Sequence, residues 1–211
     1  MGFTDRGDGD FRVDRPADVL SSLRQRTMAG DWSWLCQVHG NEVLTVTSAG
    51  EGAGATADAA VTTVPGVVLA VQTADCVPVI LIGDGVVGVA HAGWRGIVDG
   101  VLPATVEHMR DLGASHVTAT IGPCIRASHY EFGATELDVV VAVTSDAVRS
   151  ITDEGHPALD MAAAAMIALE HAGVDRVVDV GHNTADERFY SHRTRGDAGR
   201  QANVVRLEAN R

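Results

Sequence analysis

The 211-residue chain contains no lysine: all sixteen of its Lys/Arg positions are arginine. Any phosphate or carboxylate it binds must be met by an arginine fork, a backbone N–H or a metal ion. Positive charge is scarce overall, and the formal net charge of −12 repels nucleic-acid backbones and anionic lipid, so neither nucleic acid nor membrane is an expected partner. The three cysteines, Cys36, Cys76 and Cys124, are odd in number and far apart, which excludes a disulfide framework and suits a reducing compartment. No apolar run approaches the roughly 18 residues that a membrane-spanning helix needs. Met1–Asp10 carries charges and glycines where a secretory signal needs a basic start and an apolar stretch. A cytoplasmic location is expected. There is no internal repeat and no heptad, and no two of the nine histidines are separated by a single residue.

What is present fits a single domain spanning 1–211. Runs rich in Val, Ile and Thr recur with glycine punctuation at Glu42–Thr47, Asp58–Thr63, Val67–Gln72, Val79–Ile82, Val86–His91 and His116–Ile121, and predict a sheet-dominated middle. A helical pattern runs from about Gly96 to Leu112 with Pro103 expected to kink or restart it. A second has Asp160 as N-cap, an alanine-rich body Met161–His171 and Gly173 as its stop. Ala134–Val148 is too β-branched for helix and strand to be separated, and the Gly/Ala-rich Ala49–Ala57 reads as a surface loop.

The segment Thr73–Gly96 holds the densest information. Two apolar strands flank Gly83-Asp84-Gly85, predicting a β-hairpin folded symmetrically about Asp84. That register sets Cys76 opposite Ala92 and His91 opposite Val77, delivering a thiol and an imidazole to the open end together. Three readings follow. Both are ligands of Zn²⁺, with a third supplied elsewhere and His39, next to Gly40 and ahead of a strand, as the candidate. Or Cys76 is a nucleophile with His91 as its base in a metal-free cysteine hydrolase or deamidase. Or both are merely buried.

Four segments, Gln37-Val38-His39-Gly40, Thr73-Ala74-Asp75-Cys76-Val77-Pro78, His91-Ala92-Gly93-Trp94-Arg95-Gly96 and Ile121-Gly122-Pro123-Cys124 running to Tyr130-Glu131, resemble a known family in order and content. Phe189-Tyr190-Ser191-His192-Arg193 with Gly199-Arg200-Gln201 closes the match. The family is the YfiH type, called peptidoglycan editing factor or polyphenol oxidase and regarded as purine nucleoside phosphorylases with adenosine deaminase activity. The resemblance covers nearly everything from Trp34 onward. It implies an α/β fold of mixed sheets with flanking helices, an α/β/β/α-like sandwich, and a metal triad of His39, Cys76 and His91. Zinc is the implied metal, with copper possible on the same ligands. A nucleoside (adenosine, inosine or methylthioadenosine) and phosphate are the implied substrates, and a monomer is favoured. The chain departs from the family pattern in a shortened segment before Asp14, in Ser22-Leu23 where the pattern has Asn-Arg, in Thr194 where it has arginine, and in lacking a cysteine near Asn183.

On this resemblance the catalytic residues are Cys76, Asp75 and His91. Deamination uses water activated at the metal against C6 of adenine and needs a proton shuttle; Asp75 is the candidate, or it caps a turn or orients a ligand. Phosphorolysis needs an anion site, for which Arg95, Arg193 and Arg6 are the candidates. Trp94 reads as core and Cys124 as a buried thiol beneath the site. His129 and His192 are pocket candidates, and His108, His116, His156 and His171 read as solvated. A multicopper oxidase needs several His-x-His pairs, which are absent, and a non-enzymatic cell-wall maintenance protein is the remaining alternative.

Overall fold

The computed structural model describes residues 1–208. Among the described residues are thirteen strands and six α-helices: β1 Gly2–Phe3, α1 Ala17–Thr27, β2 Trp32–Cys36, β3 Val43–Thr45, β4 Ala55–Thr56, β5 Ala59–Thr62, β6 Val68–Thr73, β7 Val77–Gly83 and β8 Val86–Ala92. Then come α2 Trp94–Asp99, α3 Val101–Asp111, β9 Val117–Ile121, α4 Ala134–Val143, β10 Arg149–Ile151, β11 Pro157–Leu159, α5 Met161–His171, β12 Arg176–Asp179, α6 His192–Arg195 and β13 Gln201–Arg206. They build a five-stranded sheet of order β1-β13-β6-β2-β4, a six-stranded sheet of order β12-β9-β7-β8-β5-β3, and a small β10-β11 pair. Both large sheets mix parallel and antiparallel neighbours.

The layers follow from the alternation of side chains across each strand. In the first sheet Leu35, Leu69, Val71 and Val205 meet Ile80, Val87, Val89 and Ala60 of the second, forming the inter-sheet core. The opposite face of the first sheet, with Trp32, Val68, Ala70, Ala202 and Val204, is covered by Leu23 of α1 and by Phe11. The far face of the second sheet, with Val61, Val79, Leu81 and Ala90, packs on Leu102, Val106 and Met109 of α3 and on Met161, Ala165 and Leu169 of α5. The expected α/β/β/α sandwich of one domain is what forms. Strands β6 and β8 are buried along their whole length, which is why their sequences read as continuous apolar runs rather than alternating ones. None of the described helices is long and apolar enough to cross a membrane.

The predicted elements stand with four adjustments. The β7-β8 turn has two residues, Asp84 and Gly85, not three: Gly83 pairs with Val86 and only Gly85 takes a positive φ, 74°. The register therefore shifts by one, so that Val77 pairs with Ala92 and Pro78 with His91, and Cys76 lies just before the strand. The helix break falls at Gly100, left-handed at φ 87°, while Pro103 sits in the first turn of α3, where no intrahelical N–H is needed. The ambiguous Ala134–Val148 is helix to Val143 and a 3₁₀ turn over Asp146–Val148. The Ala49–Ala57 loop ends inside the first sheet, through β4 and buried Ala57. The Asp160 cap is present, its carboxylate accepting the Ala163 N–H at 3.0 Å.

Candidate metal centre

Two chain segments cross from the first sheet to the second, and each carries a predicted ligand. Residues 37–42 leave β2 for β3 and hold His39; residues 74–76 leave β6 for β7 and hold Cys76. His91 lies one residue from the end of β8. The three donor atoms lie within 4.8 Å of one another, with Cys76 Sγ 3.7 Å from His39 Nε2, and the imidazoles meet edge to face with centroids 4.8 Å apart. A tetrahedral zinc ion with one sulfur and two nitrogen ligands requires donor separations of about 3.5 Å. The donor set and its spacing fit that ion and leave a fourth position for a substrate group.

Asp58 orders two of the three ligands. Its fully buried carboxylate accepts the N–H groups of Val38 (3.1 Å), His39 (2.9 Å) and Gly40 (2.9 Å), which holds His39 in a left-handed conformation at φ 62°. The same carboxylate accepts the Nδ1–H of His91 at 2.8 Å. That fixes the His91 tautomer and leaves Nε2 as its donor. Burial pushes the Asp58 carboxyl up, but the hydrogen bonds from His91, Gly40 and Val38 more than offset this and hold it below the ordinary carboxylate range. Gly93 admits the cluster: a Cβ there would stand 2.5 Å from His39 Cδ2 and 3.4 Å from Cys76 Sγ.

The ligands perturb one another. Burial raises the Cys76 thiol, but neighbouring His91 and His39 outweigh this and bring it down to about 6. Burial lowers His91, while Cys76 and Asp58 raise it to about 9. The two shifts act in one direction, each favouring a thiolate at Cys76 beside an imidazolium at His91. Cys124 is wholly buried, and burial pushes its thiol up to about 12, which leaves it an inert part of the core.

Asp75 does not face the ligand pocket. Held at φ 92°, its carboxylate accepts Thr184 Oγ1–H, Ser191 Oγ–H and the Arg193 N–H, each at 2.7 Å. It ties the 184–193 segment to the loop that carries Cys76.

The three donors open onto a pocket of 520 Å³. Gln37 and Gln72 stiffen its wall: Gln37 Nε2–H donates to the Gln72 carbonyl and the Gln72 N–H to Gln37 Oε1, both at 2.8 Å. Neither Arg6, Arg95 nor Arg193 lines this pocket. Arg6 is bound to Asp197 (2.6 Å) and the Phe189 carbonyl (3.0 Å) over the Tyr190 ring. Arg95 lies exposed over Trp94, and Arg193 lies over Tyr130 with Nη1 on the Glu131 carbonyl. The arginines that do line it are Arg12 and Arg200, with His192. His129 is elsewhere, bonded to Ser128 and Asn183 beside a separate cavity. Trp94 is half-buried against Phe132 as core. His116, His156 and His171 are exposed, while His108 is half-buried with Nδ1 on the Ala104 carbonyl.

A family model described as multi-copper polyphenol oxidoreductase laccase matches residues 4–208. A purine nucleoside phosphorylase of Xylella fastidiosa is 40% identical over 82% of this chain and 70% of its own. One from Streptomyces coelicolor is 39% identical over 99% of this chain and 95% of its own. The crystal structure of Bacillus licheniformis hypothetical protein YfiH superposes with a TM-score of 0.84 at 25% identity, over 94% of this chain and 85% of that one. With the sandwich, the triad and the relatives in agreement, the chain belongs to the YfiH-type family, the one described as multi-copper polyphenol oxidoreductase laccase, whose curated relatives here carry the name purine nucleoside phosphorylase.

Proposed function

We propose that this chain is a zinc-dependent purine nucleoside phosphorylase acting on adenosine, inosine or methylthioadenosine, with adenosine deaminase activity as a secondary reaction of the same pocket. The observation that carries the reading is the His39, Cys76 and His91 cluster at the wall of a 520 Å³ pocket, a volume within the usual range for small-molecule sites. The names of the relatives supply the substrate class. Zinc bound there would supply concentrated positive charge beside the reacting atoms. The chain's own contribution is to keep the donors in place: Asp58 fixes His91 and the His39 loop, and the Gln37–Gln72 clip fixes the adjoining wall. Phosphorolysis ranks above deamination because the carboxylate adjoining Cys76 in sequence, Asp75, is committed to Thr184, Ser191 and Arg193, and that of Asp58 to His91 and the His39 loop.

The copper oxidase reading that the family's description suggests needs several copper sites. Among the described residues His39, Cys76 and His91 form the one cluster of this kind, and its opening onto a pocket suits a substrate better than electron transfer.

Purified zinc-loaded protein incubated with adenosine and phosphate should give adenine and ribose-1-phosphate, with hypoxanthine as a minor product. Full metal occupancy with no product overturns the reading in favour of a non-enzymatic role. His39→Ala should abolish both metal content and turnover. A metal-free Cys76–His91 hydrolase would instead keep its activity after chelation.

A further inference from the structure

Beside the metal ligands the pocket wall holds a group of arginines built around one carboxylate. Asp10 Oδ1 accepts the backbone N–H of Arg12 at 3.0 Å and that of Arg200, 190 positions away, at 3.1 Å. Asp10 Oδ2 accepts Arg12 Nε–H at 3.0 Å and lies 3.8 Å from Arg15 Nη1. The Phe11 N–H donates to the Arg200 carbonyl at 3.0 Å, joining the two segments. The guanidinium groups of Arg12 and Arg15 thus meet on a single acid, which also anchors Arg200 through its backbone N–H. The other acid within reach, Asp14, sits 3.8 Å from Arg12 Nη1 with its side chain 72% exposed, so water screens it. The result is a local surplus of positive charge in a chain whose net charge is −12.

Much of the donor capacity is unused. Arg12 commits Nε to Asp10, and neither Nη1 nor Nη2 has a hydrogen bond among the described residues. Arg200 commits Nη1 to the carbonyls of Asp197, Ala198 and Gly199. Arg15 Nε is buried without a hydrogen-bond partner among the described residues. Buried donors in native proteins are normally satisfied, and a guanidinium whose position is already fixed loses little freedom when it meets an oxyanion. Arg12 and Arg200 line the same pocket as His39, Cys76 and His91.

We infer that Arg12 and Arg200, positioned by Asp10, form an oxyanion subsite whose occupant is inorganic phosphate, the co-substrate of the reaction proposed above, on which this inference rests. Phosphate held there shares one pocket with a nucleoside at the metal ligands. A phosphate oxygen bonds to the anomeric carbon as the bond from that carbon to the purine nitrogen breaks. The electron pair of the broken bond goes to the nitrogen, and the proton of hydrogenphosphate ends on the departing base.

The test is calorimetric titration of the full chain with inorganic phosphate, zinc-loaded and again after chelation, which separates arginine-borne from metal-borne binding. Wild type should bind phosphate in both forms. Arg12→Gln should weaken binding by about tenfold, the worth of a charge-assisted hydrogen bond, and raise KM for phosphate by the same factor with zinc content and KM for the nucleoside unchanged. Arg200→Lys keeps a donor for the 197–199 carbonyls but loses the fork, and should show the same selective loss. Unchanged phosphate affinity in both variants, or binding only in the zinc-loaded protein, overturns the subsite. Phosphate bound through these arginines with no nucleoside cleavage supports the subsite while overturning the reaction. Phosphorolysis with an unaltered phosphate KM in both variants does the reverse.

Discussion

The carboxylate of Asp58 joins His91 to the loop of His39: one group receives the His91 Nδ1–H at 2.8 Å and three successive backbone N–H groups from Val38 to Gly40. Asp58→Asn replaces an acceptor-only side chain by one that must turn an amide donor toward other donors. Loss of a carboxylate behind a histidine ligand weakens metal affinity by about 10- to 100-fold. Competition with a zinc chelator should show a fall in that range, and wild-type affinity in the variant would remove Asp58 from this role.

Metal uptake should release protons in a pH-dependent way. Cys76, brought down to about 6, is already a thiolate at pH 7.5, whereas His91, raised to about 9, carries a proton that the incoming metal must displace. Zinc titration in weakly buffered solution at pH 7.5 should therefore release about one proton from this pair per ion. Below pH 6 the thiol proton is added to the count, and affinity drops as pH falls. Alkylation of the metal-free protein should show Cys76 reacting with a midpoint near pH 6, with protection by zinc.

Gly93→Ala places a methyl group 2.5 Å from His39 Cδ2, inside van der Waals contact. The imidazole must move, so zinc content should fall while the circular dichroism spectrum stays that of the wild type. Retention of full zinc occupancy would show that the ring has room to give.

Asp75→Asn tests positioning against proton transfer. The three donors on this carboxylate are matched by an acid and mismatched by an amide at the Arg193 N–H, so the melting temperature should drop by the equivalent of about 1–3 kcal/mol. Turnover measured well below the melting transition should keep its pH profile. A lost pH limb with unchanged stability would return Asp75 to the reaction.

The two halves of the site differed in how far the residues alone revealed them. Apolar runs on either side of Gly83-Asp84-Gly85 were enough to place the thiol and the imidazole at one end of a hairpin, because a hairpin is a local structure. The turn length, and with it the register, depended on which glycine took a positive φ, and both patterns look alike in sequence. His39 reached the cluster only by resemblance, since its position comes from a crossing between sheets held by Asp58, and an acid at the start of an apolar strand gives no sign of what it binds. That Arg12 and Arg200, rather than Arg6, Arg95 and Arg193, line the pocket is not legible in the sequence, because their shared anchor on Asp10 joins opposite ends of the chain. Strands β2 and β13 give no clear signal in the sequence for a related reason: each is defined by pairing with β6 rather than by a turn of its own.

Two donors of the triad ride on the segments that bridge the sheets, and the third on a strand of the second sheet. Sliding either sheet along the other would pull the donor atoms apart, so the triad acts as a gauge of shear across the sandwich. Substitutions that alter the thickness of the inter-sheet core, at Leu69 or Ile80 for instance, should be legible as changes in metal affinity even though they touch none of the ligands.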